Sequence, residues 1–83
     1  VSGIDEHGVM GDDDHGEVQA VRAAMQQADR TILAVDGSKF FRRGLVSLAA
    51  ITEVDLVVTD SAPPPAIAAL LAEAGVRTEL IGA

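Results

Sequence analysis

The chain has no cysteine, tryptophan or tyrosine, only two phenylalanines, and a single lysine among its 83 residues. Without cysteine there is neither a disulfide framework nor a thiolate zinc site, which fits a reducing compartment. Aromatic residues make up 2 % of a chain that is 48 % hydrophobic, so the core is expected to be built from Ala, Val, Leu and Ile, with little area per side chain. A chain of this length buries only about 60 % of its unfolded surface, which makes it one domain at most and suggests a piece of something larger. No apolar run approaches the roughly 18 residues of a membrane span and no basic leader opens the sequence, so the expected location is cytoplasmic. Repeats and low-complexity tracts are absent. Positive charge is scarce as well: six Lys and Arg stand against thirteen Asp and Glu, for a net charge of -7. That balance excludes direct nucleic-acid binding by this chain, because phosphate contacts need Lys and Arg.

What is present centres on Thr31 to Phe41. A β-branched and aliphatic run, Thr31 to Val35, breaks into Asp36, Gly37, Ser38 and Lys39, as a buried parallel strand does on leaving its sheet. Ligands of open α/β sheets bind outside the carboxyl ends of strands. There Asp36 can accept from sugar hydroxyls, Ser38 can donate, and Lys39 offers a compact cation to a phosphate or carboxylate. Lys39, Arg42 and Arg43 put three of the six cations into five positions. The plainer reading is that Asp36 caps the next helix and the cations form a solvated face.

Along the chain, Val1 to Ile4 reads as the tail of a strand begun upstream. Asp5 to Glu17, with six acids, two histidines and no Lys or Arg, is expected to be an exposed, mobile loop. His7 and His15 with Asp12, Asp13 and Asp14 match no metal-ligand spacing, and neither a metal nor a cofactor is expected. Asp14 and Glu17 have capping-box spacing, and Val18, Val21, Met25 and Ala28 predict a helix from about Gly16 to Gln27. Leu45 to Ile51 is expected to be a short helix with Leu45, Leu48 and Ala49 on one face. Leu56 to Thr59 is a strand ending in Asp60. Pro64 opens a helix whose inner stripe is Ile67, Leu70, Leu71 and Ala74, and Gly75 stops it. Val76 to Ile81 is a last strand near an edge. This order predicts an α/β fold with a mostly parallel sheet and crossover helices, with Asp36 and Asp60 at one sheet edge.

The succession Gly3-Ile4, Asp5-Glu6-His7-Gly8, Glu17 with Val21-Arg22 and Met25, Asp36-Gly37-Ser38-Lys39-Phe40, and Val54 to Asp60 resembles the C-terminal sensor domain of DeoR-family transcriptional regulators. The resemblance covers essentially the whole chain. Arg22 departs from the usual lysine, and Gly37 stands where a serine or other small residue is common. The resemblance implies a fold related to ribose-5-phosphate isomerase and coenzyme A transferases, here as a fragment of the second half of the sensor domain. It implies a sugar-phosphate sensor, not an enzyme, with Asp36 and Lys39 as matched ligand contacts. Ser38, Gly3, Glu17 and Arg22 are further candidates. The expected partners are a phosphorylated sugar or polyol effector, DNA only through a winged helix-turn-helix absent from this chain, and further copies in a homo-oligomer.

Two other classes fit the residues less well. VDLVVTDSAPP resembles the phosphoacceptor strand of a response-regulator receiver, with Asp60 as acceptor and Asp12 to Asp14 as its magnesium cluster. The acids then follow a poor strand, and the DGSK stretch is left unexplained. An isomerase of the same fold would use Glu17 as base. Isomerases of this kind resemble one another in a glycine-rich loop running into Glu-Lys, and Val18 stands where that lysine belongs.

Overall fold

Caps and hydrophobic periodicity set most element boundaries in the computed structural model, which describes residues 1–82. In chain order these form β1 (Gly3–Ile4), β2 (Val9–Asp12), α1 (His15–Gln27), β3 (Ile32–Val35), β4 (Val46–Ala50), β5 (Leu56–Thr59), α2 (Pro65–Ala74) and β6 (Arg77–Leu80). Single 3-10 turns lie at Gly37–Lys39 and Ile51–Glu53. The Asp14 carboxylate accepts the Glu17 N–H at 3.0 Å and starts α1, satisfying one of the donors that a helix N-terminus leaves open. Pro64 precedes α2, and Gly75, at φ 74°, ends it in the left-handed conformation that glycine adopts without a Cβ clash.

β3, β5 and β6 form a parallel sheet in that order, with Val35 opposite Thr59 and Thr59 opposite Leu80. Asp36 and Asp60 therefore leave the sheet at the same end. Aspartates hold β3 against β5 at both ends. Before the strands, the Thr31 N–H donates to Asp55 Oδ2 at 2.7 Å and the Asp55 N–H returns a bond to the Thr31 carbonyl at 2.9 Å. Beyond them, the Gly37 N–H donates to Asp60 Oδ1 at 2.7 Å. Leu33, Val35 and Val57 join Ile67 and Leu71 of α2 in one core with Ile4, Met10, Val18 and Leu48. β6 is exposed along its whole length, as an edge strand.

The expectation of one mostly parallel sheet is corrected. β1, β2 and β4 form a second, antiparallel sheet, so the chain is mixed α/β with one sheet of each kind. Two local expectations fall with it. Leu45 to Ile51 is not a helix: Val46–Ala50 pairs with β2, and Leu45 is 85 % exposed. A five-residue apolar run is too short for its period to separate helix from strand, and pairing with β2 satisfies its backbone. Nor is Asp5 to Glu17 a mobile loop. It holds β2, whose Met10 is 1 % exposed, and the first turn of α1.

The acids of that segment act as backbone acceptors instead of only repelling one another. Asp5 Oδ1 takes the N–H groups of His7 and Val9, each at 2.9 Å, and closes the β1–β2 turn, where Gly8 sits at φ 79°. Between β2 and β4 the register shifts at Met10 and Gly11: Met10 faces Ala49, Gly11 faces Ser47, and Leu48 is skipped. The Arg22 guanidinium donates to the carbonyl of that skipped Leu48 and so ties α1 to the bulge.

Candidate functional site

β3 delivers Asp36 to the sheet end, where the chain turns sharply instead of continuing as a strand. Asp36 caps the 3-10 turn Gly37–Lys39, and its Oδ1 accepts both the Ser38 N–H at 3.0 Å and the Ser38 hydroxyl. These two bonds hold the Asp36 carboxyl below the ordinary aspartate range, the hydroxyl contributing most, with the Lys39 and Arg42 charges adding to them and slight desolvation opposing. The capping and ligand readings of Asp36 are therefore compatible. Oδ1 is used by the turn, and Oδ2 keeps its lone pairs for a solute. Ser38 differs from its expected role, because its one hydroxyl proton is committed to Asp36 and leaves it an acceptor toward any ligand.

Lys39 ends the same turn and is half-buried. Among the described residues it enters no ion pair, the only two being His7 with Glu6 and Arg77 with Glu79. A second turn follows at once. The Arg42 N–H returns to the Lys39 carbonyl at 3.3 Å, with Phe40 at φ -70°, ψ 137° and Phe41 at φ 64°. These are type II turn angles, and the third position of such a turn is normally glycine. Here it is a phenylalanine, 56 % exposed.

The antiparallel sheet reaches this loop through Gly3. Ile4 bridges Phe40 in parallel, and a Cβ on Gly3 would lie 2.3 Å from the Arg42 carbonyl oxygen, so only glycine fits beneath that backbone. Gly3, Asp36, Ser38 and Lys39 thus belong to one constellation. Glu17 is exposed in the first turn of α1, and among the described residues no hydrogen bond or ion pair joins it to that group. Arg22 is engaged with Leu48 and lines, with Gln26, Thr31 and Glu53, a cavity of about 150 Å³. An apolar cavity of about 240 Å³ lies between Val21 and Met25 of α1 and Ile32 to Ala34 of β3. Neither of these two cavities is lined by Asp36, Ser38 or Lys39.

Asp60, which the sequence placed at the same sheet end as Asp36, holds the Gly37 N–H. One contributor was not singled out from the sequence. Gly44 approaches the backbone of Gly11 and Asp12; nothing in its local sequence announces that. No group of three or more His, Asp or Glu among the described residues is arranged to hold a metal. The magnesium cluster of a receiver is also unsupported, because Asp12 ends a strand of the other sheet, away from the strand that carries Asp60.

Comparison with known proteins adds an independent line. Residues 1–61 match the family model described as the DeoR C terminal sensor domain. The chain is 36 % identical over 80 residues to the glycerol-3-phosphate regulon repressor of Escherichia coli (strain K12), covering 96 % of this chain and 32 % of that protein. It is 36 % identical over 63 residues to the repressor of the same name from Haemophilus influenzae, covering 76 % of this chain and 25 % of that protein. The chain thus spans about a third of the length of such relatives or less. No solved structure matches it.

Proposed function

Because the chain belongs to the family of DeoR C-terminal sensor domains, we propose that it is the second half of the effector-binding domain of a transcriptional regulator, and that its effector is a phosphorylated sugar or polyol. The similar proteins are repressors, and this chain is a sensor module, not an enzyme. The observation that carries the ligand reading is the strand-exit loop. An acidic acceptor and a lysine that enters no ion pair among the described residues stand three residues apart on a turn whose Gly37 N–H is held by Asp60. A phosphorylated polyol needs that pair: a cation for the phosphate and a carboxylate oxygen for hydroxyls. Lys39 takes the phosphate, Asp36 Oδ2 and Ser38 Oγ take hydroxyls, and Gly3 holds the backbone that frames them. Glu17 and Arg22 are outer candidates on α1. The relatives are glycerol-3-phosphate regulon repressors, which makes glycerol 3-phosphate the first compound to try. Operator DNA would be read by another domain, copies would assemble as a homo-oligomer in the cytoplasm, and the parallel sheet would belong to the isomerase and transferase type of fold.

The test is calorimetric titration of a panel of phosphorylated sugars and polyols, with glycerol and inorganic phosphate alongside, into the protein and its Asp36→Asn variant. Asn keeps the shape of Asp and exchanges an acceptor for a donor. The reading expects weaker polyol phosphate binding in the variant with inorganic phosphate nearly unaffected. Equal loss for both compounds removes Asp36 from hydroxyl recognition.

A further inference from the structure

The segment Lys39 to Leu45 leaves the parallel sheet and enters the antiparallel one, and glycine contacts pin it at two places. At its middle, Gly3 lies under the Arg42 backbone, as described above. Near its end, a Cβ on Gly44 would fall 2.5 Å from both the Asp12 nitrogen and the Gly11 carbonyl carbon, and 2.9 Å from Gly11 Cα. Every one of those atoms is backbone, so no side-chain rotation relieves the overlap. The contact is reciprocal, since a Cβ on Gly11 would lie 3.1 Å from Gly44 Cα. Asp13 Oδ1 then accepts the Leu45 N–H at 3.3 Å.

From this geometry we infer that Gly44 is a positioning residue for the ligand loop: its seat on Gly11 and Asp12 fixes the far end of the segment whose near end carries Lys39. The inference rests on the proposed effector site and adds to it a residue that touches no ligand. Between Gly44 and Lys39 the chain has little freedom. The turn from Lys39 to Arg42 is closed by its own hydrogen bond, and Phe41 holds a left-handed conformation that costs a non-glycine residue energy. Moving Gly44 outward therefore transmits a displacement back through Arg42 to Lys39, and a charge-assisted contact is sensitive to sub-ångström placement.

The experiment compares Gly44→Ala with Gly75→Ala. Gly75 also needs glycine, for its positive φ, but nothing lies within 4 Å of a Cβ built there, so its replacement lowers stability without pressing on the loop. Backbone amide spectra are recorded for both variants, and glycerol 3-phosphate and inorganic phosphate are titrated into each. The expected result for Gly44→Ala is shifted amide signals from Asp36 to Arg42, little change in β5 and β6, and binding of both compounds weaker by roughly tenfold or more, the size of one lost charge-assisted bond. Gly75→Ala should bind as the parent does. Asp13→Ala removes the Leu45 acceptor without a steric clash and should move the same amides by less, which keeps the inference testable if Gly44→Ala does not fold. Unmoved loop amides in both loop variants overturn the positioning role, as does parental affinity in Gly44→Ala. A parent protein that binds neither compound overturns the effector reading instead, and the amide shifts still decide Gly44.

Discussion

At Asp36 a single carboxylate oxygen takes two donors of Ser38, the N–H and the hydroxyl, which makes its protonation observable. Its folded pKa lies below the ordinary aspartate value, so the stabilising bonds to Ser38 are present above the unfolded pKa and are lost as pH falls through the folded one. A carboxyl-detected titration should give Asp36 a midpoint below that of an unstructured aspartate. Ser38→Ala should raise it toward the ordinary range, because the hydroxyl is the largest cause. No change in that midpoint would mean that the hydroxyl bond does not form in solution. The cap at the strand exit was legible in the sequence: Asp followed two residues later by Ser after an apolar run announces it. The division of labour between the two Asp36 oxygens was not legible, since it depends on the rotamer that closes the turn. Nor was the structural use of Arg22, which exists only because a bulge leaves the Leu48 carbonyl out of the ladder.

Among the elements, β3, β5, α1 and α2 could be placed from sequence because each carries a period together with a boundary signal: aspartates for the strands, a cap for α1, proline and glycine for α2. β2 and β4 lacked both. Val9 to Asp12 offers four residues with a glycine among them, and Val46 to Ala50 is apolar except for Ser47 and shows no clean alternation, so their identity comes from pairing with each other. The Lys39 to Arg42 turn gives a test at this scale. Phe41 occupies the position of a type II turn that glycine prefers, and a β-branched residue is least tolerated there. Phe41→Val should lower stability by about 1 kcal/mol in urea unfolding, and Phe41→Gly should not, because relief of strain offsets the added chain entropy. If both cost the same, the left-handed turn is absent in solution. In α2, Ile67 is fully buried in the common core, and Ile67→Ala should cost about 2–5 kcal/mol, which for a small domain approaches its whole stability.

For the molecule as a whole, charge separates the strand-exit loop from everything else. Three of six cations lie within Lys39 to Arg43 on a chain of net charge -7, so a small anion meets attraction there, while a long polyanion meets repulsion over the remaining surface. Duplex DNA should therefore show no gel shift with this chain at micromolar concentration and physiological salt, and a shift with a steep salt dependence would overturn that account. The exit loop also joins the two sheets, packing on β1 through Gly3 and on β2 through Gly44. All of this depends on Lys39 meeting an anionic effector. The most direct measurement is the affinity of glycerol 3-phosphate for the parent and for Lys39→Ala, with amide spectra confirming an unchanged fold. Loss of one charge-assisted bond predicts a drop of roughly ten- to a hundredfold, about 1.5–3 kcal/mol. Unchanged affinity in a folded Lys39→Ala variant would contradict the account and return the cationic cluster to solvated surface.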